Sequence, residues 1–225
     1  MCGSDRVIKI ALGFWMVLVT AAAFLYLPPA EGFRSPESAR IIVFHVPCAV
    51  AASAAFAGAA FFAALYLARR KFLDDIRSAA AVEIGLVFAI LAMATGMIFA
   101  EQQWGAWWSG DPREVSMVML ILVYSAYLAL RASVDEVSRR AAVSAVYVLL
   151  ALPAMIYLVF ILPRITFSLH PSDTISRGAL SREYAFVLAS SVIGFLGIGW
   201  WFFSIRMVLS ESLSRINEEM EGEQE

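Results

Sequence analysis

The sequence predicts an all-α membrane protein, a bundle of six transmembrane helices, and three observations predict it. Hydrophobic side chains make up 61% of the 225 residues and charged ones only 16%, with a mean hydropathy of +0.75 that an ordinary water-soluble domain of this size does not approach. Charge is almost confined to short clusters between long apolar stretches, whereas a soluble fold intersperses it along its helices. The apolar stretches also lack the polar-apolar alternation of a barrel strand, and a helix satisfies its own backbone hydrogen bonds in lipid.

Crossing roughly 30 Å of hydrocarbon takes about 20 helical residues, and the spans 8–27, 42–67, 80–100, 115–130, 143–162 and 184–206 meet that need. The first lacks a small-residue cleavage site and reads as a retained helix. The second carries the small-residue run from Ala51 to Ala60, which lets neighbouring backbones approach and places this helix centrally. The third holds Glu83, the one acid clearly inside a span, a turn from the helix end and expected to reach the interface. The fourth reaches full length only if it begins near Pro112, a residue tolerated in a first turn, with Asp111 as N-cap. The sixth combines Gly194, Gly197 and Gly199 with Trp200 and Trp201, a close-packing stretch leading into an interfacial anchor. Residues 1–209 form the membrane domain and 210–225 an acidic, solvated tail.

Lys and Arg set the orientation. With both termini cytoplasmic, eleven of them fall inside and six outside, so the positive-inside asymmetry favours that arrangement in a cell (plasma or inner) membrane. The loops 28–41, 101–114 and 163–183 then face outward. They are longer or richer in proline and aromatics than the inner connections, which places function outside. Cys2 and Cys48 fall on opposite sides and are not expected to pair, and no Cys-x-x-Cys run supports thiol redox work or covalent heme attachment. No polybasic tract points to nucleic acid. Lipid is the surrounding partner.

The tryptophan-rich stretch 101–116 contains Trp104, Trp107 and Trp108. If it is helical, their i, i+3, i+4 spacing puts three indoles on one face. That row reads either as an interfacial aromatic belt or as a shelf for a flat apolar ligand. On spacing alone the belt is favoured. The only two histidines, His45 and His170, fall on the same side, and two imidazoles approaching from different segments suit the axial positions of a heme iron. Zinc is less suited, because neither histidine has beside it the further ligands that would complete four-coordination. Arg113, Arg40, Arg164, Arg177 and Arg182 are outward cations able to take carboxylates.

The run Trp-Gly-Ala-Trp-Trp-Ser-Gly-Asp-Pro-Arg over 104–113 resembles the tryptophan-rich WWD signature of heme-handling proteins in cytochrome c biogenesis. With Phe44-His45-Val46-Pro47 before it and Ser168-Leu169-His170-Pro171 after it, the pattern is most similar to the CcmC family of the system I maturation pathway. The resemblance implies non-covalent heme b with His45 and His170 as axial ligands. It further implies Trp104, Trp107 and Trp108 as the ring platform, with Asp111 and Arg113 in the same site. It also implies a CcmE-like heme chaperone as recipient and CcmA-, CcmB- and CcmD-like subunits as partners. The family commonly has tryptophan where Gly110 stands and threonine where Val115 stands. The expected role is heme presentation and not enzymatic turnover. The alternatives are an electron-transfer b-type cytochrome, whose histidines usually sit deeper in helices, and a transporter, which calls for a midplane polar site or paired broken helices.

Overall fold

The computed structural model describes residues 3–170 and 180–222. Among them there is no strand, and six helices are long and apolar enough to cross a membrane. They are α1 (Gly3–Leu25), α2 (Ile42–Arg69), α3 (Phe72–Trp104), α4 (Pro112–Ala132), α5 (Val137–Ile156) and α6 (Arg182–Gly222). A 3-10 turn, Pro36–Ile41, leads straight into α2. A π turn, Tyr157–Ile161, and a last α turn, Leu162–Ile165, extend α5.

Helix ends follow local chemistry. Arg70 ends α2 in the left-handed region at φ 55°, its N–H bonded to the Tyr66 carbonyl. Gly105 ends α3 at φ 77°, which glycine adopts without steric cost. Asp111 caps α4 as the sequence predicts. Its side chain accepts from the Arg113 N–H while Glu114 reaches back to the Asp111 N–H, and Pro112 takes the first helical position. Helix α6 runs past residue 210 to Gly222 without a break at the expected start of the tail.

The central position expected for α2 holds, since α3, α5 and α6 all pack on it. Ala51, Ala52, Ala59, Ala60 and Ala63 are buried there, and small side chains let helices meet closely where lipid supplies no hydrophobic drive. Phe56 fills the gap they leave. A Cβ on Gly85 would stand 2.6 Å from its ring, and the ring stacks on Tyr124 with centroids 3.5 Å apart. Gly194 and Gly197 of α6 receive Met16 and Leu12 of α1 in the same way. The outward-facing Val7, Ile10, Phe14 and Val17 of α1 are exposed, as suits a lipid-facing surface.

Two ion pairs lie toward the end where α3 begins. Asp75 of α3 takes a two-pronged bond from Arg131 of α4, at 2.7 and 2.6 Å. Glu83 pairs with Arg206 of α6 at 2.7 and 3.2 Å. The span 80–100 places Glu83 one turn inside the third helix. It stands about three turns in, because Asp74, Asp75 and Arg77 continue the helix back to Phe72.

Candidate functional site

The opposite end of the bundle holds a cavity of about 430 Å³ between α2, α3, α4 and the end of α5, mostly lined by apolar side chains. That volume lies in the ordinary range for organic ligands. His45, Trp104, Asp111, Arg113 and His170 line it, and so do Met93, Met97, Phe99 and Met117. The sequence spreads the seven expected site residues over separate loops and helix ends. The fold draws five of its seven site residues to one wall or another of a single space.

His45 stands in the first turn of α2, facing Gly96 of α3, where a Cβ would lie 3.1 Å from the imidazole Cε1. The absent side chain is what admits the ring. The His45 Nδ1 donates to the Ala92 carbonyl at 2.9 Å, with the Thr95 hydroxyl at 3.2 Å. Because a carbonyl only accepts, the proton sits on Nδ1 and the Nε2 lone pair is left for a ligand. An outer partner of this kind commonly fixes a metal-binding histidine.

His170 lies in the segment after α5, its ring centroid 6.0 Å from that of His45 at an interplanar angle of 33°. Two nitrogens about 2 Å from one shared metal ion, with the ring radii added, demand a separation of this order. Phe99 packs beside His170 at 6.2 Å, and Trp104 meets Phe99 edge-on at 5.9 Å. Three buried polar atoms of the cavity-lining residues have no partner among the described residues: His170 Nδ1, Arg113 Nε and Glu114 Oε1. An apolar cavity holding unpaired donors and acceptors is suited to a ligand that is largely apolar with a few polar ends. No group of three or more His, Cys, Asp or Glu able to hold a bare metal ion occurs among the described residues. The two imidazoles therefore suit a metal whose other ligands come with it, as in heme, and the site fits that group.

Burial, with Arg113 and His45 nearby, pushes the His170 imidazole down to about 4, against an opposing pull from Asp111. Between pH 6.5 and about 4 the unfolded chain binds a proton at this position that the folded chain does not. Stability therefore rises with pH across that window and is lost on acidification, by at most about 3 kcal/mol. Denaturation midpoints of the ligand-free protein are expected to fall from pH 6.5 to 4, and His170→Gln is expected to flatten that slope.

The helical row of three indoles does not form. Helix α3 stops at Trp104 because Gly105 turns left-handed, and residues 105–111 are irregular. Trp104 consequently faces the cavity, while Trp107 and Trp108 are 55% and 46% exposed and do not line it. Of the cations, Arg113 reaches the cavity. Arg40 is engaged with the Leu27 carbonyl and Glu37, and Arg164 with the Phe160 carbonyl. Arg177, Pro171 and Cys2 lie outside the described residues. Gln103 has a role that the sequence does not mark. It accepts from the Arg34 N–H and donates to the Ser35 carbonyl and the Ser38 hydroxyl, tying the first loop to the end of α3. A lone glutamine near a helix end carries no sequence signal for that role.

The model of the family CcmC, heme exporter protein C, matches residues 3–223. The heme exporter protein C of Escherichia coli (strain K12) is 30% identical over 174 residues, 75% of this chain and 68% of that protein. The heme exporter protein C of Paracoccus denitrificans (strain Pd 1222) is 32% identical over 118 residues, 52% of this chain and 48% of its own. A putative cytochrome c biosynthesis ccmC-like mitochondrial protein of Marchantia polymorpha is 31% identical over 126 residues, 55% of each chain. The chain thus spans about half the length of the Paracoccus and Marchantia proteins.

Proposed function

This chain belongs to the CcmC, heme exporter protein C, family, and from that premise we propose that it binds heme b non-covalently and presents it to a CcmE-like chaperone during cytochrome c maturation. The observation that carries the reading is the pair of imidazoles 6.0 Å apart on the wall of one apolar cavity. Heme would supply an iron for the two imidazoles to hold and a flat apolar ring with carboxylates for the cavity to enclose. His45 offers Nε2 because its Nδ1 is held by Ala92, and His170 approaches from the segment that follows α5. Trp104, Phe99 and the cavity methionines would pack on the ring and exclude water, while Arg113, its Nε unpartnered among the described residues, would take a carboxylate. Trp107 and Trp108 stand outside the cavity, where an incoming partner meets an aromatic edge.

The charge asymmetry of the loops supports an external, periplasm-side position for this end in a plasma or inner membrane. Release there needs no turnover chemistry from this chain. Any coupling to ATP falls to CcmA-, CcmB- and CcmD-like subunits. The purified protein is expected to show a Soret band and the split visible bands of reduced six-coordinate heme, and to lose them to an added CcmE-like chaperone. Absence of heme sinks the proposal. Heme that cycles reversibly between redox states and is never surrendered would mark an electron-transfer cytochrome instead.

Gly96 gives a graded check. Gly96→Val brings branched carbons against His45 and pushes its ring off the Ala92 carbonyl. Heme content per folded protein, measured as the pyridine hemochrome, is expected to fall at least about tenfold, equivalent to ~1.4 kcal/mol. Gly96→Ala, whose single Cβ asks the ring to give only a few tenths of an ångström, is expected to lose less.

A further inference from the structure

The two histidines are held in different ways. The ring of His45 is oriented directly through Nδ1. His170 has no such tether, since its Nδ1 is unpartnered among the described residues. What fixes it lies on its backbone. One oxygen of the Asp111 carboxylate accepts from the Ser168 hydroxyl at 2.9 Å, and the other accepts from the Leu169 N–H at 2.6 Å. The Ser168 hydroxyl oxygen in turn accepts from the His170 N–H at 3.1 Å. Three consecutive residues therefore hang on one side chain, which is only 5% exposed.

We infer that Asp111 is a positioning residue for His170, anchoring the 168–170 turn that aims the imidazole into the cavity, and not itself a ligand contact. The inference rests on the heme-binding reading for its functional consequence and on hydrogen bonds of the protein alone for its geometry. Capping α4 requires only one acceptor, for the Arg113 N–H at 2.9 Å. The second oxygen of an ordinary surface cap faces water, whereas here it meets the Leu169 N–H. Both oxygens are thereby engaged by protein donors. The neighbouring carboxylate divides the work, because Glu114 accepts from the Ser109 N–H and hydroxyl and from the Asp111 N–H. Glu114 thus holds the tryptophan loop, and Asp111 holds the histidine turn. The helix start is rigid, so a cap residue is a firm post for a segment that has no regular structure of its own.

A cap and a positioning post respond differently to Asp111→Asn. Asparagine is among the best N-caps, so α4 should start normally. Its amide, however, cannot accept on both sides, and turning an acceptor to Arg113 and Ser168 points N–H groups at the Leu169 N–H. In the heme-free protein, amide exchange at Leu169 and His170 is expected to quicken at least tenfold while the first turn of α4 keeps its protection. Ser168→Ala should reproduce the effect at His170, and Glu114→Gln should leave Leu169 protected. In the heme-loaded protein the six-coordinate low-spin spectrum is expected to turn five-coordinate and high-spin in Asp111→Asn. Added imidazole should restore it, as it should in His170→Ala. Wild-type exchange at 169 and 170, or lost protection with an unchanged low-spin spectrum, would overturn the inference. If wild-type protein takes up no heme, it is the heme-binding reading that fails, and the exchange rates alone decide whether Asp111 holds the turn.

Discussion

Replacing both His45 and His170 with alanine is expected to abolish the Soret band of the purified protein while leaving its helical circular dichroism unchanged. Neither ring carries the core. The central cluster is built around Phe56, Tyr124 and the alanines of α2 and α3, and both histidines stand at the end of the bundle against the cavity. The single variants should differ. His45 is fixed by the Ala92 carbonyl and presents a settled lone pair, so His45→Ala should remove most of the bound heme. His170→Ala should leave a five-coordinate remnant held by His45, with the ring still packed on Trp104 and Phe99. Stacking of this kind contributes about 0.5–1.5 kcal/mol per aromatic contact beyond burial, enough to slow loss but not to replace a coordinate bond. Equal heme content in wild type and the double variant would show that the imidazoles are not the ligands.

How much of this was legible in the sequence depended on how local the signal was. Hydropathy over windows of about 20 residues marks every span, because lipid forces each to close its own hydrogen bonds. Asp111 and Pro112 were readable as a helix start, since capping is decided within four residues. The span 80–100 stops four residues short of the end of α3. The indole spacing invites a helix through Trp108, yet Gly105 at φ 77° ends it after Trp104, and that one residue decides which indole enters the cavity. Long-range pairings left no trace in the pattern. Gly96 was an unremarked glycine until the fold set it against His45, and Asp111 showed its cap but not its hold on Ser168 and Leu169. Asp75 and Arg131, 56 residues apart, carry no mark of pairing in the sequence and form one largely buried pair.

That pair carries the largest expected effect on stability. The Asp75 and Arg131 side chains are 9% and 19% exposed, and both carboxylate oxygens face guanidinium nitrogens, the fork geometry in which arginine is strongest. Arg131→Leu leaves a carboxylate with no cation at its side, and breaking such a buried pair costs about 3–5 kcal/mol. The double variant Asp75→Leu with Arg131→Leu removes both charges, and unfolding in mixed detergent micelles should return most of the lost stability. Glu83 and Arg206 serve as the internal contrast. They bond as closely, but their side chains are 38% and 35% exposed, so less of the protein encloses the charge that Arg206→Leu leaves behind and the cost should be smaller than for Arg131→Leu. Equal losses from the two single variants would mean that burial does not separate the pairs. Helix α4 carries Asp111 and Arg113 at its start and Arg131 in its last turn, a whole span apart. Arg131→Leu should therefore lower the melting temperature while heme bound per folded molecule is retained, which separates the end that stabilises the bundle from the end that binds.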